Sequence, residues 1–272
     1  MKPLVLSLRG RPGQRLDMSP LVPHRLAGKS AAEIGRIALQ TTRVPATVAD
    51  TFRLSGGDVA HIRIEGSCDR LDRVGHGMMD GEITVDGDVG SQAGRLMSGG
   101  TLLVRGNAGP WAGSAMTGGR IEIAGAAGDH LGGPFGGETV GMRSGLILVR
   151  GNAGARAGDR MRRGPILVEG ACGAHAGSRM IAGTLVVLRE AGPLPGYLMK
   201  RGTIVLAADC ERLSPTFIDC GVHDLVALRL MADFLGAHSR RAAACLRGPL
   251  RRYAGDMAVL GKGEIFIGTL SR

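Results

Sequence analysis

The chain has 272 residues, and its 34 Lys and Arg residues outweigh 24 Asp and Glu residues to give a net charge of +10. This balance favours an acidic partner or ligand, but only 3% of the residues are aromatic, and neither a recognition helix nor a base-stacking platform for nucleic acid is visible. No apolar stretch approaches the roughly 20 residues of a membrane-spanning helix, and five cysteines without C-x-x-C spacing, with no signal peptide, indicate a soluble protein of the reducing cytoplasm.

Residues 1–60 lack the periodicity of the segment that follows and are predicted to form an N-terminal cap. Ser30 and Glu33 have the spacing of a capping box, which predicts a short helix from Ala31 to about Leu39. Pro45 would end any continuation of this helix. A cap is expected here because an uncapped repeat array exposes strand edges and core residues.

Residues 61–206 consist of a repeated 19-residue unit. Counted from its first glycine, the unit reads G-x-x-G-x-x-x-G-x-x-M-x-x-G, and seven units can be recognised, the fourth with a seven-residue insertion. Their methionines are Met78, Met97, Met116, Met142, Met161, Met180 and Met199. Units this short must stack on one another to bury apolar surface, so the repeat predicts an all-β solenoid.

Each repeat also carries two aliphatic residues, four and two positions before its first glycine. The pairs are Ile62/Ile64, Ile83/Val85, Leu102/Val104, Ile121/Ile123, Ile147/Val149, Ile166/Val168 and Leu185/Val187. Period-2 spacing places both members on one face of a strand, which is predicted to be the core. Parallel strands lie about 4.8 Å apart, so the pairs form two ladders and the methionines a third. The glycines are predicted to serve in turns with positive φ or close backbone contact.

The strand position between the two core residues changes character along the array. It holds Arg63, Thr84, Leu103 and Glu122 in the early repeats and Leu148, Leu167, Val186 and Val205 in the later ones. An apolar outer face is normally covered. Residues 207–272 form a C-terminal extension in which helical spacing predicts a helix over 223–238. This helix is the first candidate for the cover, and a partner subunit is the alternative.

No motif for catalysis stands out. The sequence has no nucleophile elbow, paired-carboxylate motif or nucleotide fingerprint, and its seven histidines are scattered. Cys172 and His175 share one repeat, as do His76 and Asp80, and either pair could contribute to a metal site. An exposed turn histidine beside a small buried cysteine explains them more simply. We therefore predict neither catalytic residues nor metal ligands in this chain.

Basic residues cluster around the methionines of the later repeats. They are Arg143, Arg160, Arg162, Arg163, Arg179, Lys200 and Arg201, and together they are called the basic corner below. Stacking brings these side chains together, and like charges repel unless anions compensate them. One interpretation is a docking strip for a polyanion or for an acidic face of a partner subunit, with Arg giving bidentate carboxylate contacts. The alternative is a solvated, salt-screened surface.

The glycine and methionine array, over roughly 62–206, resembles the C-terminal β-helix domain of the large subunit of glutamate synthase. With its flanks, essentially the whole chain resembles the C subunit of formylmethanofuran dehydrogenase and its bacterial counterpart in the formyltransferase/hydrolase complex of methylotrophs. The flanking segments that carry this resemblance are Ser19-Pro20-Leu21, Leu26-Ala27-Gly28-Lys29-Ser30, Leu213-Ser214-Pro215-Thr216-Phe217, Arg252-Tyr253-Ala254-Gly255-Asp256-Met257-Ala258 and Gly261-Lys262-Gly263-Glu264-Ile265.

This resemblance implies a right-handed parallel β-helix of about seven coils in a four-subunit assembly. It implies that partners carry the chemistry: an amidohydrolase-like subunit with zinc, a formyltransferase subunit in the bacterial complexes, and a tungsto- or molybdopterin chain in the archaeal dehydrogenases. The sequence contains no ligand set for either metal site. The resemblance also implies a carrier, methanofuran or methylofuran, whose glutamate-rich tail would give a reason for the basic corner.

We therefore expect a noncatalytic structural subunit of a cytoplasmic formyltransferase/hydrolase complex, which releases formate from a formylated methanofuran-type carrier in one-carbon metabolism. The Arg-, Ala- and Gly-rich composition suits a GC-rich bacterium and favours the hydrolase form. The first alternative is the C subunit of a tungsten- or molybdenum-dependent formylmethanofuran dehydrogenase. The second is an autonomous basic binding solenoid. Neither nucleic acid nor a membrane is expected as a partner.

Overall fold

A large, mainly parallel β-sheet dominates the structure, a computed structural model that describes residues 2–268. This sheet has 13 strands and is accompanied by a smaller sheet of four short strands. Neither sheet closes into a barrel, since each has two edge strands. Among the described residues, no helix has the length and apolar character to cross a membrane.

The N-terminal segment contributes strands to both sheets. Its elements are β1 (Pro3–Leu8), β2 (Leu16–Asp17), α1 (Pro23–Leu26), α2 (Ala31–Gly35), β3 (Ala38–Thr41), β4 (Ala46–Thr47), α3 (Val48–Thr51) and β5 (Phe52–Ser55). The capping box at Ser30 and Glu33 is confirmed, but the prediction that the helix reaches Leu39 is wrong. The helix ends at Gly35, because Leu39 is buried in β3, which pairs with β2 and β4.

The repeats supply the central strands. These are β6 (Asp58–Ser67), β7 (Leu71–Asp72), β8 (Glu82–Gly87), β9 (Thr101–Val104), β10 (Arg120–Ile123), β11 (Leu146–Val149), β12 (Pro165–Val168), β13 (Thr184–Val187) and β14 (Arg201–Leu206). From β8 to β14 each strand pairs in parallel with the equivalent strand of the next repeat. Ile121 pairs with Leu102 on one side and with Ile147 on the other, so the insertion in the fourth repeat does not disturb the register.

The predicted core is confirmed. Every member of the seven aliphatic pairs is at most 2% exposed, and all seven repeat methionines are fully buried. A second series of parallel bridges links small residues of successive repeats, from Val89 through Ala108 and Cys172 to Cys210. Each buried Ile, Leu, Val or Met side chain contributes roughly 1.5–3 kcal/mol of hydrophobic free energy, so the stability of the stack comes from these continuous ladders.

The glycines of the repeat have the two functions predicted for them. Gly119 has a φ of 81°, a left-handed conformation that a residue with a β-carbon adopts only at a cost. Gly109 has an ordinary φ, but a β-carbon there would lie 2.8 Å from the carbonyl carbon of Gly90 in the preceding repeat. One glycine therefore permits a turn, and the other permits two backbones to approach each other.

The C-terminal extension returns to the sheet. It consists of β15 (Ile218–His223), α4 (Val226–Gly236), α5 (Arg240–Leu246), β16 (Leu250–Gly255) and β17 (Lys262–Gly268). β17 pairs in parallel with β14, Ile265 lying opposite Ile204. β16 and β15 then continue the sheet in antiparallel orientation. The predicted helix over 223–238 corresponds to α4, which is shorter by a few residues at its start and end.

The apolar outer face of the later repeats is covered by α4, the predicted cover, and also by α5, a helix that the sequence did not predict. Leu148, Leu167, Val186 and Val205 pack into one buried cluster with residues of both helices, and the helical members are Leu228, Ala232, Leu235, Ala242, Ala243 and Leu246. The equivalent early position Leu103 is only partly buried. The chain thus covers the half of the sheet whose outer face is apolar.

Substitution of aspartate on the two faces of the repeat strands tests this arrangement. Val168→Asp would place a charge without a partner in the core and should remove soluble protein, because such a burial costs several kcal/mol. Leu103→Asp, on the uncovered outer face, should change the free energy of unfolding by only about 1 kcal/mol. Soluble yield and thermal unfolding measure both effects. A soluble Val168→Asp protein that melts like the Leu103→Asp protein would contradict the register.

Candidate functional site

Four members of the basic corner line a single cavity. Arg160, Arg162, Arg179 and Lys200 surround a volume of about 420 Å³. Thr139, Ile181, Leu198 and Val259 complete its wall. The structure therefore brings these four cations together, as the sequence led us to expect. Apolar side chains lie beside them in the same cavity.

The other members lie along its margins. Arg163 and Arg162 line a depression of about 590 Å³ that is also lined by Leu230 and Phe234 of α4. Arg143 and Thr139 line a third hollow of about 440 Å³. The cavity shares Arg162 with the depression and Thr139 with the third hollow, so it adjoins both. Arg201 is exposed at the start of β14, where its register partner is Lys262 of β17.

Arg179 differs from the rest because it already has an anionic partner. Its Nε donates to Oδ1 of the fully buried Asp159 at 2.9 Å, and its Nη2 donates to Oδ2 of the same carboxylate. The Ser178 hydroxyl donates a further hydrogen bond of 2.9 Å to Asp159. Within residues 2–268, the other six cations have neither an ion pair nor a side-chain hydrogen bond. Arg179 is thus a structural residue, and the six remaining cations are available to an external anion.

Arg160 and Arg179 also share a left-handed backbone conformation, with φ values of 51° and 52°. Such strain is often a mark of a functional site. Here it belongs to the repeat, because Leu96, Ala115 and Leu198 occupy the same position before the methionine and have φ values of 57°, 54° and 57°. The backbone conformation of the two arginines therefore carries no information about function.

The insertion of the fourth repeat forms one wall of the site. Arg95 donates two hydrogen bonds to Glu138, of 3.1 Å and 2.5 Å, and its guanidinium lies 4.9 Å from the centre of the Phe135 ring. The ring of Phe135 meets Trp111 edge-on at 5.4 Å. These hydrogen bonds from Arg95 hold the pKa of Glu138 below its usual range. Glu138 lines the same hollow as Arg143, whose charge also lowers the pKa of Glu138, but the two side chains form no ion pair.

The position of the fourth-repeat insertion beside the basic corner was not predicted from the sequence. The signal available was an aromatic residue, Phe135, in an insertion between glycines of a chain that has few aromatic residues. Thr139, at the end of the same insertion, separates the hollow of Arg143 from the cavity of Arg160. The insertion therefore shapes the surface on which the cations lie.

Three histidines of the repeats are packed against neighbouring residues, and the charge of two of them follows from burial. Burial lowers the pKa of His76 and of His130, so both imidazoles are neutral at pH 7. His130 stacks on Trp111 at 5.6 Å, and His175 meets Tyr197 edge-on at 5.7 Å. The Nδ1 atoms of all three histidines are buried without a hydrogen-bond partner. These rings pack as apolar groups against their neighbours.

The two pairs considered as metal ligands are not part of a larger donor set. Across residues 2–268, no group of three or more His, Cys, Asp or Glu side chains is arranged to hold a metal ion. Burial raises the pKa of the Cys172 thiol to about 12, so this thiol stays protonated and is a poor ligand or nucleophile. The chemistry that the described residues offer is attraction of anions with adjacent apolar contact.

Comparison with known proteins gives a consistent set of relatives. The GXGXG motif family matches residues 82–217. The C subunit of the formyltransferase/hydrolase complex Fhc from Methylorubrum extorquens is 52% identical over 262 residues, which are 96% of this chain and 98% of the relative. The C subunit of a tungsten-containing formylmethanofuran dehydrogenase 2 from Methanococcus maripaludis is 34% identical over 92 residues, which are 33% of this chain and 34% of that one.

A solved structure agrees with the sequence relatives. The X-ray crystal structure of the formyltransferase/hydrolase complex FhcABCD from Methylorubrum extorquens, in complex with methylofuran, contains a similar chain. The TM-score is 0.92 and the sequence identity 46%, and the match covers 97% of this chain and 99% of that chain. The likeness therefore extends over the N-terminal and C-terminal segments as well as the repeats.

A pair of leucine substitutions separates the structural arginine from the available ones. Arg179→Leu removes the partner of a buried carboxylate and should lower the free energy of unfolding by roughly 3 kcal/mol. Arg162→Leu, at an exposed position without an ion pair, should change it by less than about 0.5 kcal/mol. Thermal or denaturant unfolding measures the difference. Adding Asp159→Asn to Arg179→Leu should restore part of the loss, and equal stability of the two single variants would contradict the assignment.

Proposed function

The chain belongs to the family of the C subunit of the formyltransferase/hydrolase complex, and we propose that it is the structural subunit of such a complex. In this function it would hold together the subunits that convert a formylated methylofuran-type carrier to formate in one-carbon metabolism. The observation that carries the proposal is the match over 96% of this chain and 98% of the Methylorubrum extorquens subunit at 52% identity.

The hydrolase form is favoured over the dehydrogenase form by the extent of the two matches. The tungsten-containing dehydrogenase subunit matches only 33% of the chain, a length that falls short of the whole repeat array. The match to the Fhc relative spans 262 residues and therefore extends well beyond the repeats of residues 61–206 into the flanking segments. Proteins that assemble with the same partners need the same surfaces, and the flanks supply much of the surface of this chain.

Several finer features belong to the same proposal. We expect the stacked repeats to wind as a right-handed parallel β-helix of about seven coils, with residues 1–60 as its N-terminal cap. We expect an amidohydrolase-like subunit, which would hold zinc, a formyltransferase subunit and a further subunit as partners in the cytoplasm. The register of β8 to β14 supports the first expectation, and the FhcABCD complex of the solved relative supports an assembly of several subunits.

A structural function is also consistent with the chemistry of the chain. Catalysis of formyl hydrolysis needs an activated nucleophile or a general base in a cleft. Neither His76 nor His130 lines any of the three hollows described above, and burial keeps the Cys172 thiol protonated. The proposal therefore assigns formyl chemistry to the partner subunits and positioning to this chain.

The basic corner is proposed to bind carboxylates. Three of its six unpaired cations line the same cavity as the apolar residues Ile181, Leu198 and Val259, a combination that suits either the glutamate-rich tail of the carrier or an acidic patch on a partner. Arg162 can offer a bidentate contact to a carboxylate, whereas Lys200 acts as a point charge. If the carrier tail binds here, substitutions should change the KM for the carrier. If a partner binds here, they should change assembly of the complex.

Charge reversal at two unpaired cations of the cavity distinguishes the carrier tail from a partner surface as the ligand. In a complex with Arg160→Glu and Lys200→Glu, binding of the carrier tail at this site predicts that the apparent KM for the formylated carrier rises roughly tenfold, equal to about 1.4 kcal/mol. The same KM should become less sensitive to salt, because fewer charges attract the tail. Steady-state kinetics at low and high ionic strength measure this, while size-exclusion chromatography shows an intact complex.

Two other outcomes are informative. A complex that dissociates would indicate that an acidic partner surface occupies the corner. Unchanged KM and unchanged assembly would leave a solvated basic face. The matched control is Arg36→Glu with Arg53→Glu, which makes the same change in charge at exposed arginines of the N-terminal segment that have no ion pair among the described residues.

If this chain has no catalytic residue, its histidines can be substituted without a large loss of turnover. Alanine in place of His76, His130 or His175 should leave kcat of the assembled complex within about tenfold of the parent, since general acid or base catalysis typically contributes 10²-fold or more. Turnover is measured on complexes whose composition has been checked by native mass spectrometry. A loss of about 10²-fold in an intact complex would contradict the proposal.

A further inference from the structure

The outer face of α4 is apolar and uncovered. Val226, Leu230 and Phe234 are 67%, 65% and 55% exposed. They follow one another at intervals of four residues, so they form a single stripe along the helix. Scattered apolar residues are common on protein surfaces, but a continuous row of large ones marks an interaction surface.

The inner face of the same helix is apolar as well. Leu228, Ala232 and Leu235 are at most 2% exposed and pack on the outer face of the sheet. A helix with apolar residues on two faces is suited to packing on both of them. The described part of the chain buries only one side of α4.

The two charged residues of α4, Arg229 and Asp233, are exposed, but each is paired with an opposite charge of this chain. Arg229 Nη2 lies 2.5 Å from Oδ2 of Asp224, and Asp233 Oδ1 lies 2.6 Å from Nη2 of Arg247. Both charges are therefore paired within the C-terminal extension, which leaves the apolar stripe as the main feature of this surface.

Unpaired cations border the stripe on one side. Leu230, Met231 and Phe234 of α4 line the 590 Å³ depression, and Arg162 and Arg163 line the same depression. A ligand in this depression would contact apolar side chains and two guanidinium groups together. The complementary surface has large apolar side chains with carboxylates at their margin.

We infer that the stripe of Val226, Leu230 and Phe234, together with this depression, is the docking surface for another protein subunit of the assembly. Its contacting surface carries apolar residues that cover the stripe and Asp or Glu residues that pair with Arg162 and Arg163. The inference rests on the proposed function, since it requires that the chain work in a complex.

Two other occupants fit the observations less well. A carboxylate-rich tail could pair with Arg162 and Arg163 but has no apolar groups with which to cover Phe234. A second copy of this chain could cover the stripe, but it has a net charge of +10 and would bring its own unpaired arginines toward those of the first. An apolar surface with acidic margins satisfies both features.

Photochemical cross-linking in the purified complex tests the inference directly. Phe234 is replaced with p-benzoylphenylalanine, an aromatic residue for an aromatic residue, and the complex is irradiated and analysed by mass spectrometry. The expected result is an adduct between this position and a different subunit. An adduct with a second copy of this chain, or no adduct between chains, would overturn the inference. Val44, which is 65% exposed in the N-terminal segment, is labelled in parallel and should not give the same adduct.

A double substitution measures the energetic contribution of the stripe. Leu230→Glu with Phe234→Glu should weaken binding of that subunit by about 30-fold or more, as for residues at the centre of an interface, while Val44→Glu should leave it unchanged. Full assembly of the double variant would overturn the inference and leave the proposed function intact. If the parent chain copurifies with no other subunit, the proposed function fails, and this inference fails with it.

Discussion

Backbone hydrogen bonding between successive repeats fixes the position of every equivalent side chain. Leu185 lies between Ile166 and Ile204 in register, and parallel strands keep such neighbours about 4.8 Å apart. Apolar ladders then become a continuous core without a large globular interior. The same closeness leaves no space for a β-carbon at Gly109, where it would lie 2.8 Å from the backbone of the preceding repeat. Core, turns and surface therefore all follow from one register.

For charged residues the same register is unfavourable unless carboxylates alternate with cations. Arg150 shows the compensated case, because it lies 2.8 Å from Glu122 of the preceding repeat and 2.7 Å from Glu169 of the following one. The register places Arg160 and Arg179 one repeat apart, and only Arg179 has a carboxylate, Asp159. Carboxylates of this chain thus pair with cations on the outer sheet face, but most cations of the basic corner have no such partner. For this reason the corner suits an external acidic group.

Properties set by the period could be predicted from the sequence, and properties set by non-periodic contacts could not. The aliphatic pairs, the methionines and the cover over Leu148 follow from spacing alone. The early end of α2 depends on β-pairing of Leu39, and the return of Ile265 to the side of Ile204 depends on a segment outside the repeats. The ion pair of Arg179 could have been predicted from the sequence. Asp159 occupies the same repeat position as Ser178, the residue before Arg179, so stacking places it beside Arg179.

The C-terminal helices cover one apolar surface, that of the later repeat strands, and expose another on their own outer side. α4 and α5 bury the apolar outer positions of the later repeats, yet α4 presents Val226, Leu230 and Phe234 in their place. A helix needed only as a cover would have polar residues on its outer side, because exposed apolar groups gain nothing from facing water. The early repeats already have Arg63, Thr84 and Glu122 at their outer positions. These polar outer positions of the early repeats are stable in contact with water. The apolar outer face of α4 is suited to contact with another protein.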